Sequence, residues 1–491
     1  MIALAQSKAI ASMITDSRSS ESFREMEAVP LIKMGGNNPS IIPTGNALRL
    51  LKSHKIAFEK RNNDPLTAII LMKQENEYKG VIKNIGCDPF FIFYYIPEQR
   101  HMYRQYCRSV HQNLVTHPQI INATGSVIKN FMKFGLEKTK TLFLYEAIVN
   151  NKEKQHSFTV SNMVSESHNT IAISNWLANW IASNVPQPKQ TVCDQSLALL
   201  SAIMKTFTQY SLKIYIEVCA DVITNRLPRD SRWLPQCFVR LEIAHFMKLA
   251  SQWPSLKLLH RKVRKIILKT IGCFVKFQDL KEVYSLLLSV FISITNESNG
   301  LDRNTEIETS CERHNRRLMN IVSTGNIELD EQLDAIIDDA GNESNSYEEQ
   351  FCKNIYKGLE GHNDFQKWAE KVYDESKKHI QEGTGINPLY APYIIHIIKM
   401  MKLLPLWSGI MIPIFGFGDV IASSIAVESS FNKLKNITFK HTSLPTDIEN
   451  FLDTNLLSLR GSSLLKSNEA LKTDISLKQK KIMQCKIKLT I

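Results

Sequence analysis

Residues 118–250 carry the most regular pattern of apolar and polar positions in the chain. Three segments rich in aromatic and β-branched residues, each followed by turn-forming residues, predict consecutive strands: QIINATGSVIKNF, TKTLFLYEAIVNN and QHSFTVSNMVSE. The segment NTIAISNWLANWIASN has its tryptophans and aliphatic residues at helical spacing, which predicts an amphipathic helix. KQTVCDQ then predicts a short strand that ends at Asp194, with a helix directly after it. CFVRLEIAHFMKL predicts a further strand that leads into a helix.

The pattern outside this region is mainly helical or irregular. Residues 251–390 contain RKVRKIILKTIGCFVKF and DLKEVYSLLLSVFISI as the clearest helical segments. The longest apolar run, Leu403 to Gly418, contains two prolines and three glycines, so we interpret it as buried core and not as a membrane helix. We also interpret the aromatic cluster FFIFYY as core, although aromatic residues among basic ones can stack on nucleic-acid bases.

The distribution of charge adds a candidate partner. The net charge of +12, with a pI near 9.1, suits a polyanion, and nucleic acid is the commonest one. Many basic proteins bind no polyanion, so the charge alone leaves the partner open. The last 28 residues hold seven lysines and two acids, which suits either phosphate binding or nuclear import. An acidic stretch, 328–349, has nine Asp or Glu and no Lys or Arg, and we interpret it as a solvated surface or linker.

Cysteine usage and the N-terminal sequence indicate an intracellular protein. The nine cysteines are scattered and odd in number, with no CxxC pair, which favours a reducing compartment over a disulfide framework. The first residues lack a basic segment followed by a sustained apolar core, so no signal peptide is predicted. No P-loop, Rossmann glycine pattern, GxSxG or HExxH occurs. We therefore expect a nuclear or cytoplasmic protein without a membrane or a small-molecule substrate as partner.

Two acids stand in settings that suit metal ligands. Phosphodiester cleavage uses two divalent cations about 3.5–4 Å apart, which requires several converging carboxylates. Asp194 ends a predicted strand and precedes a helix, a position that also suits a simple helix N-cap. Glu428 lies in SSIAVESSFNKLKN and, taken alone, would be interpreted as a surface glutamate. It borders an apolar face at helical spacing, formed by Ile425, Val427, Phe431 and Leu434.

The segments VCDQSLALLSAI, CFVRLEIAHFMK and SSIAVESSFNKLKN, in this order, resemble the transposases of insect DNA elements in the Mutator-like and hAT-like assemblage. The resemblance runs from about Asn46 to Ser463. It implies an α/β protein with a ribonuclease-H-like core, a large all-α insertion before the third acidic residue, and an N-terminal mixed segment. The implied catalytic positions lie on the first strand, at the end of the fourth strand and on a helix packed across the sheet. Here they are occupied by Asn122, Asp194 and Glu428.

Asn122 departs from the resemblance, because the family carries Asp at this position. An amide offers one neutral oxygen where a carboxylate offers two charged ones, so it bridges two cations poorly. We therefore expect Asp194 and Glu428 to bind a single Mg²⁺ or Mn²⁺ ion weakly. Glu146 and Asp88 are candidate substitutes for the missing acid, although neither matches the motif.

Cys237 and His245 stand where such transposases often show a Cys/His feature. Two ligands do not make a zinc site, which normally needs four. We interpret His245, on an apolar helix, as a packed core histidine.

The predicted organisation has six parts: a loosely ordered N-terminus (1–45), a helical and aromatic segment (46–117), the first part of the core (118–250), an α-helical insertion (251–400), the C-terminal part of the core (401–463) and a basic tail (464–491). The predicted function is that of a transposase-like protein that binds double-stranded DNA, related to enzymes that cut and join element ends, with catalysis impaired at Asn122. The resemblance leaves a homo-oligomer open. The alternative is a domesticated, non-catalytic DNA-binding or protein-interaction protein that kept the fold and the basic surface.

Overall fold

A mixed β-sheet of seven strands is the centre of the structure. The computed structural model describes residues 60–113, 119–151, 156–230, 232–257, 259–296, 309–323, 363–380, 391–418 and 421–465. Within these ranges the chain is a mixed α/β protein with many helices around the sheet. The predicted α/β class is therefore correct.

The sheet contains an antiparallel part and a parallel part. Its strands are β1 Ile82–Cys87, β2 Phe90–Tyr94, β3 Gln119–Thr124, β6 Phe143–Asn151, β7 His156–Ser165, β8 Gln190–Cys193 and β9 Phe238–Leu241. Two short strands, β4 Met132–Lys133 and β5 Glu137–Lys138, form a separate hairpin. The order across the sheet is β1-β2-β7-β6-β3-β8-β9. All neighbours from β1 to β3 pair antiparallel, whereas β3 with β8 and β8 with β9 pair parallel.

The composition of the strands explains their positions in the sheet. Every residue of β8 and β9 is buried, as expected for parallel strands covered by helices on both faces. The antiparallel strand β2 has the sequence FFIFY, and four of its five side chains are buried, as suits aromatic and β-branched residues in a sheet. Gly86 of β1 lies against the Phe91 ring of β2, where the ring occupies the space that a Cβ would need.

Five helices accompany the strands up to β9: α1 Pro65–Gln74, α2 Pro97–Asn113, α3 Thr170–Ala182, α4 Leu197–Ile203 and α5 Leu212–Ile223. The side chain of Asn169 caps α3 by accepting the Ala172 N–H. On α3, Trp176 and Trp180 are buried, and the Trp176 indole N–H donates to Ser161 Oγ on β7 over 2.9 Å. This hydrogen bond fixes the helix against the sheet.

The described segments after β9 are helical: α6 Ile243–Ser251, α7 Pro254–Lys257, α8 Arg261–Lys276, α9 Leu280–Thr295, α10 Ser310–Ser323, α11 Asp364–Ser376, α12 Ala391–Met401, α13 Leu404–Trp407, α14 Ile412–Phe415, α15 Ile425–Lys433 and α16, residues 448–465. Short 3₁₀ turns at Lys377–His379 and Gly409–Met411 and a π-helical turn at Leu434–Thr438 extend some of them. Apart from one bridge between Ile128 and Thr446, no strand pairing involves the described residues after Leu241. The two helices predicted most clearly in this region correspond to α8 and α9.

The apolar run from Leu403 to Gly418 is only partly core. Residues 403–411 are buried, whereas the residues from Ile412 onward are half-buried or exposed where the structure describes them. Over the described ranges, no helix has the length and apolar content needed to cross a membrane.

The predicted order of three strands, a helix, a strand and a helix, followed by a strand that leads into a helix, is confirmed by β3, β6, β7, α3, β8, α4, β9 and α6. The aromatic cluster around β2 is buried core, as predicted. The sequence did not predict β1, the hairpin or the helices α1, α2 and α5. The predicted N-terminal segment 1–45, the acidic stretch 328–349 and the lysines of the tail lie outside the described residues.

Candidate functional site

A row of polar side chains crosses one face of the sheet. Asn122 of β3 pairs with Glu146 of β6, Glu146 pairs with Asn162 of β7, and Asn162 pairs with Tyr94 of β2. Directly opposite residues of antiparallel strands share a face, with Cβ atoms about 4.5–5.5 Å apart. We call these four residues, together with the two acids described next, the polar row.

Two acids continue the polar row at the ends of the parallel strands. Ile121 of β3, Cys193 of β8 and Leu241 of β9 are in register, so the residues that follow them lie side by side. These residues are Asn122, Asp194 and Glu242. The Glu242 N–H donates to the Cys193 carbonyl over 2.8 Å, which extends the parallel pairing by one residue. The polar row therefore brings Asn122 and Asp194 together and adds Glu242.

Helix α15 lies over the polar row and carries Glu428. It packs against β3 and β6, and Ser430 Oγ donates to Glu146 Oε2 over 2.8 Å. Glu428 accepts a hydrogen bond from Ser424 Oγ over 2.8 Å. Burial raises the pKa of Glu242, two backbone N–H donors and His245 oppose the rise, and the negative charge of Glu428 adds to it. Glu428 is therefore near enough to Glu242 for the two negative charges to repel each other.

The exposure of α15 differs from the sequence prediction in two respects. Ile425, expected on the apolar face, is 69% exposed at the first position of the helix, although Val427 in the same turn is buried. Glu428, expected at the edge of a buried surface, is itself exposed. Val427, Phe431 and Leu434 are buried as predicted.

Asn122 and Asp194 both form short local hydrogen bonds. Asn122 is half-buried, and its Oδ1 accepts the N–H of the next residue, Ala123, over 2.7 Å. Asp194 Oδ1 accepts the N–H of Ser196 over 3.0 Å in the turn before α4, and the hydroxyl of Ser196 caps that helix. His168 holds this turn, since its Nε2 lies 3.1 Å from Ser196 Oγ. Asp194 therefore stabilises the turn before α4, and the N-cap residue of that helix is Ser196 and not Asp194.

Of the two candidate substitutes for the first acid, only Glu146 lies in the polar row. Glu146 is buried, and its carboxylate accepts hydrogen bonds from Asn162 Nδ2 and Ser430 Oγ. Burial raises its pKa to about 7, and both hydrogen bonds oppose the rise. Asp88 is exposed in the turn between β1 and β2, separated from β3 by β7 and β6, and pairs there with Lys133. Asp88 therefore does not lie beside Asn122.

A cavity of about 190 Å³ adjoins Glu146 between α2, β6, β7, α15 and α16. Its lining is rich in hydroxyl and amide groups and includes Ser430, Asn455 and Lys433. Water or a small polar group can therefore approach the Glu146 carboxylate from this side.

The Cys237 and His245 side chains lie at opposite ends of β9. Cys237 precedes the strand and is buried against Thr191, 3.4 Å from its hydroxyl. Burial raises the pKa of the Cys237 thiol to about 12, and the hydrogen bond with Thr191 opposes the rise. His245 follows the strand, on α6, beside Glu242. Since a four-residue strand spans roughly 13 Å, the two side chains do not share an ion.

The oxygen donors around Asn122, Asp194 and Glu428 suit Mg²⁺ or Mn²⁺ in chemical type, because both are hard cations. Both carboxylate oxygens of Glu242, however, already accept backbone N–H donors of α6. Within the part of the chain that the structure describes, no group of three or more His, Cys, Asp or Glu is arranged to hold a metal ion. The residues whose oxygen atoms could hold a cation here are therefore Asn122, Asp194 and Glu428.

Sequence reasoning missed Glu242 as a member of this site. A signal was present, since Glu242 follows the apolar strand FVRL and precedes a helix, as Asp194 follows QTVC and precedes α4. An acid at each of two strand-to-helix junctions predicts neighbouring acids only when the two strands pair in parallel and in register. That pairing comes from the tertiary structure and cannot be obtained from the segment alone.

Comparison with known proteins gives one informative similarity. No protein-family model matches the chain. The chain is 26% identical over 419 residues to a protein described as "120.7 kDa protein in NOF-FB transposable element" of Drosophila melanogaster. The alignment covers 84% of this chain and 37% of that protein, so the chain spans less than half of its relative. This similarity supports a transposon-derived origin for the chain.

Proposed function

We propose that the chain is a transposase-like protein with a ribonuclease-H-like core, which binds double-stranded DNA and has weak or no cleavage activity. The subfamily suggested by the sequence, within the Mutator-like and hAT-like assemblage, is part of this proposal. A nuclear location is also part of the proposal, because a DNA-binding protein of this kind would bind its DNA there.

The polar row is the observation that supports the proposal best. A three-stranded antiparallel meander followed by a parallel strand is the arrangement that the family resemblance implies, and β3, β6, β7 and β8 have it. Asn122 and Asp194 are adjacent across the β3–β8 pair, and α15 carries Glu428 over β3. These are the three positions that the resemblance associates with the acids of the catalytic site. The similarity to a transposable-element protein supports the same hypothesis independently.

The proposed loss of activity follows from Asn122. The Asn122 side chain offers one neutral oxygen atom, where a carboxylate at this position would offer two charged oxygen atoms to bridge two cations. Asp194 and Glu428 remain as the residues that would hold a single cation, whose chemistry would be to activate water or stabilise a leaving oxygen. Glu146 is adjacent to Asn122, but its carboxylate accepts hydrogen bonds from Asn162 and Ser430, and burial favours its protonated form.

A combined binding and nicking assay tests the proposal. We expect the full chain to bind duplex DNA with an affinity that falls steeply as salt rises, because bound phosphates release counterions. We expect no nicking of supercoiled plasmid above background in manganese. The variant Asn122→Asp should nick, and the double variant Asn122→Asp with Asp194→Asn should not.

Each component of the proposal has its own contrary result. Failure to bind duplex DNA even at low salt would contradict the DNA-binding function. Efficient nicking by the natural sequence would contradict the proposed impairment. Nicking by the double variant at the level of Asn122→Asp would mean that the polar row does not carry the chemistry.

A further inference from the structure

Helix α8 presents a basic surface on the helical part of the chain. Its 16 residues include six Lys or Arg and no Asp or Glu. Leu268, Ile271 and Phe274 are buried on the side that packs against neighbouring helices. Arg261, Lys262 and Lys276 are exposed.

Helix α10 adds arginines next to α8. The two helices pack together and line one apolar cavity of about 220 Å³. On α10, Arg313, Arg316 and Arg317 are exposed, while Leu318 is buried. Burial lowers the pKa of His314, and the positive charges of His379, Arg317 and Arg313 lower it further, as expected in a region of positive potential.

Helix α6 connects this surface to the polar row. It begins immediately after Glu242, is nine residues long and packs against α8. At 1.5 Å per residue its length is about 13 Å, which is less than one helical turn of duplex DNA. A duplex lying at the polar row can therefore also reach α8.

We propose that these six exposed residues, Arg261, Lys262, Lys276, Arg313, Arg316 and Arg317, form a basic face that binds the phosphate backbone of double-stranded DNA. The proposal rests on the proposed function and adds the surface that holds the DNA beside the polar row. Helix α8 is about 24 Å long, and a duplex of that length carries about 14 phosphate charges.

The composition of the two helices favours DNA over a folded protein partner. Stable protein interfaces have an apolar core surrounded by a polar rim. On α8 and α10 the one exposed large apolar side chain is Met319. Positive side chains on a rigid helix, with a single acid, Glu312, on the two helices, match a uniformly negative backbone better.

The test compares two triple variants of the full chain by fluorescence anisotropy with a mixed-sequence duplex, measured from low to physiological salt. The first variant combines Lys262→Gln, Lys276→Gln and Arg317→Gln on the basic face. The control combines Lys79→Gln, Lys138→Gln and Lys140→Gln, which are exposed elsewhere and remove the same charge. Because the six side chains substituted in the two triple variants are exposed, the temperature of thermal unfolding should be unchanged in both variants.

If the basic face binds DNA, the first variant should lose three phosphate contacts. The slope of log affinity against log salt concentration should then be smaller in magnitude by about 2.7. Its affinity at low salt should fall about tenfold or more, and the control should keep the slope of the natural chain. Equal losses in both variants, or no loss in the first, would overturn the basic face while leaving the proposed function intact. Absence of duplex binding by the natural chain would overturn both. Stronger binding of single-stranded RNA than of duplex DNA, lost in the first variant, would overturn the choice of partner.

Discussion

The protonation of Glu146 should make the stability of the fold depend on pH. Because burial raises the pKa of Glu146 from 4.5 to about 7, the folded state holds a proton that the unfolded chain releases. The contribution of Glu146 to the free energy of unfolding is therefore fully present below pH 4.5 and is lost as the pH rises to 7. At about 1.36 kcal/mol per pKa unit, the 2.5-unit difference corresponds to about 3.4 kcal/mol, of which about 2.5 kcal/mol falls between pH 5 and pH 8.

The variant Glu146→Gln tests this reasoning, because it keeps the shape of the side chain and cannot ionise. Its oxygen can accept from Ser430, and its amide can donate to Asn162 Oδ1, which has no hydrogen-bond partner, if the Asn162 amide rotates. Urea unfolding at pH 5, 6, 7 and 8 should show the variant gaining about 2.5 kcal/mol relative to the natural chain between pH 5 and pH 8. The matched control is Glu98→Gln, at an exposed position. Its free energy of unfolding should change with pH between pH 5 and pH 8 as that of the natural chain does. Parallel pH profiles for the natural chain and Glu146→Gln would refute the argument.

Two further substitutions test the packing around the sheet. Trp176→Phe removes the indole N–H that donates to Ser161 and leaves a buried hydroxyl without its donor, so the free energy of unfolding should fall by about 1–3 kcal/mol, measured by urea unfolding. An unchanged midpoint would mean that the hydrogen bond does not fix α3 to the sheet. Gly86→Ala places a methyl group against the Phe91 ring and should lower the melting temperature, with a cost of about 1–3 kcal/mol. A melting temperature equal to that of the natural chain would mean that Phe91 moves aside freely.

Most of the fold between Gln119 and Ser251, apart from the β4–β5 hairpin and α5, could be predicted because its signals are local. Aromatic and β-branched runs separated by turn residues specify β6 and β7, and the tryptophan spacing specifies α3. The strand β2 was predicted only as core, because FFIFY indicates burial but not a pairing partner. Of its two partners, β1 is adjacent in the chain but was not predicted, and β7 lies more than 60 residues further along the chain.

The candidate site shows the same limit. Asp194 and Glu428 could be selected from their segments and from the family resemblance. Glu242 could not, because its place beside Asp194 depends on the parallel pairing of β8 with β9. The exposure of Ile425 could not be predicted from the sequence either. Helical periodicity predicts which side of a helix is apolar, but not which residues on that side are covered by other elements.

Calorimetric titration with manganese tests the central claim, that Asn122 leaves an incomplete metal site on the polar row. The account predicts weak binding of one ion by the natural chain, and an increase in affinity of about tenfold or more in Asn122→Asp, because a charged ligand is restored at close range. Asp194→Asn should abolish the heat of binding in both backgrounds. Tight binding of two ions by the natural chain would contradict the account and would make Glu146 the first residue to examine. Equal weak binding by the natural chain and Asn122→Asp would equally contradict it.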